Sequence, residues 1–143
     1  MNTHLETTVG VYAFVIKGKK LLLLHKPNDP IWTALGGRMD SGDKSPILAL
    51  EREVREELGS EVEINIDDIL DVKLWSANYK DYRLGVFYVC SLENEDVEFK
   101  LSHEHDDYKF FSFDEAIDMW KTEDRGATGI ELGIKLKEKG YLE

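Results

Sequence analysis

Residues 7 to 16 (TTVGVYAFVI) are rich in β-branched and aromatic side chains and predict a strand. Lys17-Gly18-Lys19 reads as a turn, and Leu21 to His25 as the strand returning from it. Residues 26 to 31 (KPNDPI) hold two of the three prolines and predict a loop. Trp32 to Leu35 predicts a short strand that runs into Gly36-Gly37. The clearest helix follows. Ser45 is an N-cap residue and Pro46 suits the first helical position. Ile47, Leu50, Val54 and Leu58 recur at spacings of three and four, which makes one apolar stripe. Gly59 stands where a C-terminal cap belongs. Strands are expected at 61 to 66, 69 to 77 and 82 to 91, with Tyr79-Lys80-Asp81 as a hairpin turn. Residues 93 to 107 are acidic and irregular, and Tyr108 to Phe111 predicts a further strand. Ser112-Phe113-Asp114-Glu115 resembles a capping box that opens a helix through Trp120. Thr128-Gly129-Ile130-Glu131 reads as a second box, for a last helix ending at Gly140. Strands interleaved with helices, two apparent hairpins among them, predict an α/β (α+β) fold with a mixed sheet covered by helices. At 143 residues the chain suits one domain, 1 to 143.

Composition narrows the function. Acidic residues number 29 against 18 basic ones, a formal net charge of −11. Such a chain is a poor binder of long nucleic acid or of an anionic membrane, since both are polyanions. A small anionic substrate needs local help, and a metal ion is the obvious source. Cys90 is the single cysteine, so no intrachain disulfide or Cys-rich zinc site can form, and a reducing cytoplasm fits. No secretory signal pattern is expected at the N-terminus. Leu21 to Leu24, the longest aliphatic block, is far too short to span a membrane.

The segment Arg52-Glu53-Val54-Arg55-Glu56-Glu57-Leu58-Gly59 carries the candidate chemistry. On a helix Glu53, Glu56 and Glu57 share one face, beside the Leu50/Val54/Leu58 stripe. Three carboxylates at the edge of a buried surface repel one another and call for a neutralising partner. Hard oxygen ligands suit Mg²⁺ or Mn²⁺ better than zinc. The alternative is a solvated acidic face laced by Glu51/Arg55 and Arg52/Glu56 pairs. Gly36-Gly37 upstream would let backbone approach a ligand or metal, although such a pair is usually just a turn.

Together these residues resemble the Nudix hydrolase signature, G-x5-E-x7-R-E-U-x-E-E-x-G-U with U a bulky aliphatic. The match runs from Gly37 to Gly59 and rests on Arg52, Glu53, Val54, Glu56, Glu57 and Gly59. The loop carries one extra residue, so either Asp43 or Lys44 occupies the place of the first glutamate, and Ser60 replaces the last aliphatic. The resemblance implies an αβα sandwich with a mixed sheet, and hydrolysis of a nucleoside diphosphate linked to another group. By position, Glu53, Glu56, Glu57 and the Gly37 carbonyl would coordinate Mg²⁺ or Mn²⁺. Arg52 would orient Glu53. Glu104 corresponds to a downstream acid acting as metal ligand or general base, with a solvated loop acid as the alternative. His103 and His105 are expected on the surface, because a zinc site there lacks an evident third ligand.

Lys26 and Arg38 flank the glycine pair and would contact phosphates. Tyr79 and Tyr82 are candidates to stack on a base, and so are Trp32, Trp75 and Phe87, although aromatics at strand spacing are more often core. The first expectation is a nucleoside triphosphate pyrophosphohydrolase giving a nucleoside monophosphate and pyrophosphate. The alternatives are a dinucleoside polyphosphate or nucleotide-sugar hydrolase, and a nucleotide sensor that has lost catalysis with its altered first glutamate. A small nucleotide is the expected partner, and exposed strand edges would support a homodimer.

Overall fold

The computed structural model describes residues 3–76 and 81–143. Its strands are β1 (Thr7–Lys17), β2 (Lys20–His25), β3 (Leu35–Arg38), β4 (Ile64–Ser76), β5 (Tyr82–Leu92) and β6 (Asp107–Phe111). Its helices are α1 (Pro46–Leu58), α2 (Phe113–Trp120) and α3 (Ala127–Glu138), with a short 3-10 turn at Asp124–Gly126. The sheet order is β4-β5-β1-β2-β6, and β3 pairs with β1 as a branch. The β1–β5 pair is parallel and the other pairs are antiparallel, which makes the expected mixed sheet.

Period-two alternation splits the core into two layers. Val11, Ala13, Val15, Leu22 and Leu24 face α1 with its Leu50, Val54 and Leu58. Phe14, Leu21, Leu23 and Phe87 face α2 and α3 with Trp120, Leu132 and Leu136. Both faces being covered explains the unbroken Leu21–Leu24 run, in which every side chain is buried.

The α1 boundaries follow the sequence signals. Ser45 Oγ accepts from the Leu48 N–H, Pro46 opens the helix, and Gly59 (φ +114°) closes it by donating to the Arg55 carbonyl. Other expectations need correction. Ile47 is exposed rather than part of the stripe, whereas Glu57 lies beside the stripe as expected and is buried there. The two strands expected at 61 to 66 and 69 to 77 are replaced by one, β4 (Ile64–Ser76), with register shifts at Ile66/Asp68 and Ile69/Asp71; residue 77 lies outside the described residues. Gly36-Gly37 lies within β3, preceded by a lone Thr33–Leu24 bridge. Thr128 caps nothing, because α3 starts at Ala127 as a continuation of the 3-10 turn. A Cβ at Gly129 would sit 2.6 Å from the Trp120 ring, so that glycine provides packing room rather than a helix stop. Tyr79 and Lys80 of the expected hairpin turn lie outside the described residues. Among the described residues no helix is long and apolar enough to cross a membrane.

Candidate active site

Strand β3 and helix α1 build the site between them. Gly36 has φ +147°, and a side chain there would strike the β1 backbone. Its N–H donates to Glu57 Oε2 at 3.1 Å. Gly37 lies so close to α1 that a Cβ would be 2.6 Å from Glu53 Oε1. The glycine pair therefore lets the strand backbone meet two carboxylates of the helix.

Arg52 ties the loop to the helix. Its guanidinium donates to Asp43 at 2.9 and 3.2 Å, to Glu53 Oε1 at 3.2 Å, to Glu56 Oε1 at 3.2 Å and to the Arg38 carbonyl at 3.5 Å. These hydrogen bonds hold the Asp43 carboxyl below its ordinary value. Between the two candidates for the altered signature position, Asp43 makes the contact with Arg52. The ammonium of Lys44 has no lone pair to accept from a guanidinium.

The three signature carboxylates have different environments. Glu56 is mostly solvated, with its side chain 58% exposed. Glu53 is largely buried, and burial raises its pKa against the opposing charge of Arg52. Glu57 is only 7% exposed, and burial pushes it up to about 8 despite the Gly36 hydrogen bond.

The acidic segment before β6 is drawn into the same place. The Lys100 N–H donates to the Leu58 carbonyl and the Ser102 N–H to the Glu57 carbonyl, which satisfies carbonyls left open at the end of α1. Beyond the turn, the Asp106 N–H donates to the His25 carbonyl and the Asp106 carboxylate pairs with His25 Nδ1. Held at both ends, the loop brings Glu104 and His105 to Glu57, and one ligand atom from each lies within 4.8 Å of the others. His105 is 7% exposed, and burial lowers its pKa, so the expectation of a surface histidine is wrong. Its Nδ1 is buried with no hydrogen-bond partner among the described residues. Sequence reasoning named this residue but placed it on the surface; the helix-end carbonyls that recruit its loop lie more than forty positions away in the chain.

A cleft of about 720 Å³ opens over these groups, lined by Lys26, Gly36, Gly37, Arg38, Glu53, Glu56, Glu57, Ser102, His103 and Glu104. It adjoins a second cleft of about 430 Å³, which shares Lys26, Gly36, Gly37, Arg38 and Glu57 and continues past Tyr12, Phe14, Phe87 and Arg125. Tyr12 and Phe87 stack there at 5.1 Å. Tyr82 stands apart from both, in a third hollow with Arg83 and Arg38. Trp32 is occupied by packing against His25 and Phe111, and Tyr79 lies outside the described residues.

The family model described as NUDIX domain matches residues 6–128. The chain belongs to the NUDIX family. A curated relative, the asymmetrical bis(5'-nucleosyl)-tetraphosphatase of Rattus norvegicus, is 32% identical over 111 residues, 74% of each protein. Among solved structures, the MutT protein of Methanosarcina mazei Go1 superposes with a TM-score of 0.71 at 22% identity, covering 95% of this chain and 98% of that one. A UDP-X diphosphatase gives 0.71 at 20% identity, covering 96% of this chain, which spans 66% of that protein. These two likenesses establish the αβα NUDIX fold. With the family assigned, this NUDIX chain is a pyrophosphohydrolase.

The donor set suits the divalent ion on which NUDIX hydrolases generally depend. Glu53, Glu56, Glu57, Glu104 and the Gly37 carbonyl are all hard oxygen donors. Among the described residues Glu57 is buried with one side-chain hydrogen bond and no cationic partner at contact distance, a state that a divalent ion relieves.

Proposed function

We propose that this NUDIX domain, residues 1 to 143 acting as one unit, hydrolyses a phosphoanhydride bond of a nucleoside polyphosphate, with a dinucleoside tetraphosphate as the leading substrate. The observation that carries this reading is the convergence of Glu53, Glu57 and Glu104 on the Gly36-Gly37 backbone beside an aromatic cleft. Glu53, Glu56, Glu57 and the Gly37 carbonyl would hold Mg²⁺ or Mn²⁺, which supplies Lewis acidity to the phosphate chain. Arg52 fixes Glu53 and Glu56 in their rotamers, with Asp43 holding the far side of the guanidinium. Lys26 and Arg38, at the junction of the two clefts, bind phosphate oxygens. Glu104 lines the same cleft, where one carboxylate oxygen would ligate a metal and leave the other to accept the proton of the attacking water. The nucleoside rests in the cleft of Tyr12, Phe14 and Phe87, and the work at phosphorus is positioning and charge stabilisation.

The dinucleoside form is supported by the rat relative, and the Tyr82/Arg83 hollow, which shares Arg38 with the two clefts, offers room for a second nucleoside. A nucleoside triphosphate, giving the monophosphate and pyrophosphate, is the second reading, because the aromatic cleft needs only one nucleoside. A panel of dinucleoside tetraphosphates, nucleoside triphosphates, ADP-ribose and UDP-sugars with Mg²⁺ or Mn²⁺, resolved by mass spectrometry, tests both. Asymmetric products, ATP and AMP from the diadenosine substrate, support the first. Monophosphate with pyrophosphate supports the second. Tight binding with no product from any substrate overturns both in favour of a sensor. Cytoplasmic location fits the buried free thiol of Cys90 and is checked by fractionation. A homodimer would use β4, which pairs only with β5 and exposes Ile69, Val72 and Leu74; light scattering tests it.

A further inference from the structure

The oxygen donors of the signature account for one side of the acidic cleft. His105 is not part of that set; it lines the adjoining aromatic cleft, where it meets Glu57. It is more than nine-tenths buried, it lies against Glu57 and Glu104, and its Nδ1 lacks a hydrogen-bond partner among the described residues. A buried polar atom without a partner is costly, and native structures seldom keep one without a reason. The backbone on either side is committed: the His105 N–H donates to the Ser102 carbonyl, and Asp106 is fixed to His25. The ring is therefore carried by an anchored loop.

The spacing is nearly that of a coordination shell. Three ligand atoms at about 2.0–2.2 Å from one ion stand roughly 3–3.8 Å apart. The three donor atoms lie within 4.8 Å of one another, so side-chain shifts of about an ångström would close the shell. One nitrogen and two carboxylates make a different donor set from the all-oxygen signature. Imidazole favours first-row transition ions, whereas Mg²⁺ prefers oxygen and keeps its waters.

We propose that Glu57, Glu104 and His105 form a second, nitrogen-containing metal site, selective for a first-row transition ion such as Mn²⁺ over Mg²⁺, with Glu57 shared with the signature site. This rests on the metal-dependent reading above. It makes the enzyme a two-metal centre with unlike positions, Mg²⁺ being adequate at one and a transition ion preferred at the other.

The test needs no nucleotide and no turnover. Mn²⁺ is titrated into the metal-free protein by calorimetry, and pulsed electron paramagnetic resonance of the loaded protein reads nitrogen coupling to the ion. Wild type should show imidazole nitrogen modulation. His105→Gln should lose it and bind Mn²⁺ at this site at least tenfold more weakly, with Mg²⁺ affinity changed less than threefold. His103→Gln, at a neighbouring exposed histidine, should keep the modulation. If His105→Gln does not fold, the wild-type spectrum with the His103→Gln control decides the matter. Ion binding without nitrogen coupling overturns the second site and leaves the signature site standing. Equal loss of Mg²⁺ and Mn²⁺ affinity in His105→Gln also overturns it. No divalent ion bound at all overturns the metal-dependent reading itself.

Discussion

Glu57→Gln separates what the fold needs from what the chemistry needs. In the metal-free protein burial raises Glu57 from 4.5 to about 8, while the unfolded chain keeps the ordinary value. The folded state therefore holds a proton that the unfolded state has released. Stability from this group is complete below about pH 4.5 and is lost as pH rises towards 8. At about 1.4 kcal/mol per pH unit, the loss by pH 7 is roughly 3 kcal/mol. Glutamine is a neutral near-isostere whose oxygen can still accept from the Gly36 N–H. With a chelator at pH 7, the variant should exceed wild type by up to about 3 kcal/mol, or roughly 6–12 °C in Tm for a domain near this size. At pH 4.5 the two should converge. Mg²⁺ should raise the Tm of wild type and do much less for the variant, and kcat should fall at least about 100-fold because a charge-neutralising ligand is gone. Urea denaturation at several pH values, with and without metal, reads all of this. Parallel stability curves for the two proteins, or wild-type turnover by the variant, would refute the reasoning.

Gly37→Ala places a methyl 2.6 Å from Glu53 Oε1, so kcat should fall by about 10–100-fold while circular dichroism is unchanged. Asp43→Asn weakens the hold on Arg52, so kcat should drop about tenfold with KM little changed, and Asp43→Glu should recover part of it. Trp120→Ala removes a buried indole that also donates to the Trp32 carbonyl, and should cost about 3–5 kcal/mol in urea denaturation. Hydrogen bonds from Lys109 and Ser112 lower Glu115 to about 2, so its contribution is present above pH 4.5 and lost as pH falls towards 2. Glu115→Gln should therefore be less stable than wild type at pH 7 and converge with it in acid.

Helix α1 was legible because its signals are local: cap, proline, stripe and terminal glycine fall within fifteen residues. The strands were legible from β-branched and aromatic runs, but the β4 bulges were not, since two breaks in alternation look like a gap between strands. The capping-box reading failed at Thr128 because the chain is already helical there, entering α3 from the 3-10 turn at Asp124–Gly126. Hydrophobic periodicity misassigned Ile47, and helical geometry rather than apolarity put Glu57 beside the stripe. Periodicity scores apolarity, whereas a site places a carboxylate inward and leaves an aliphatic residue outside. Asp43 as the partner of Arg52 needed three-dimensional distances to decide against Lys44. His105 required the contact between a loop and a helix end more than forty positions upstream.

The single parallel pairing has a consequence for how the chain acquires its shape. Thr7 lies opposite Tyr82 and Val15 opposite Cys90, so the central strand meets its long neighbour only across seventy-five positions. Contacts that distant form slowly, because a large loop must close before any is gained. At about 5–20 residues per second of synthesis, β1 waits at least several seconds on the ribosome for β5 to be made. During that interval the Val11–Val15 segment, buried but for Tyr12 in the finished fold, and the wholly buried Leu21–Leu24 segment have an uncovered edge. The nascent chain is then most exposed to aggregation and to chaperones, and truncations ending before Leu92 should be found in the insoluble fraction.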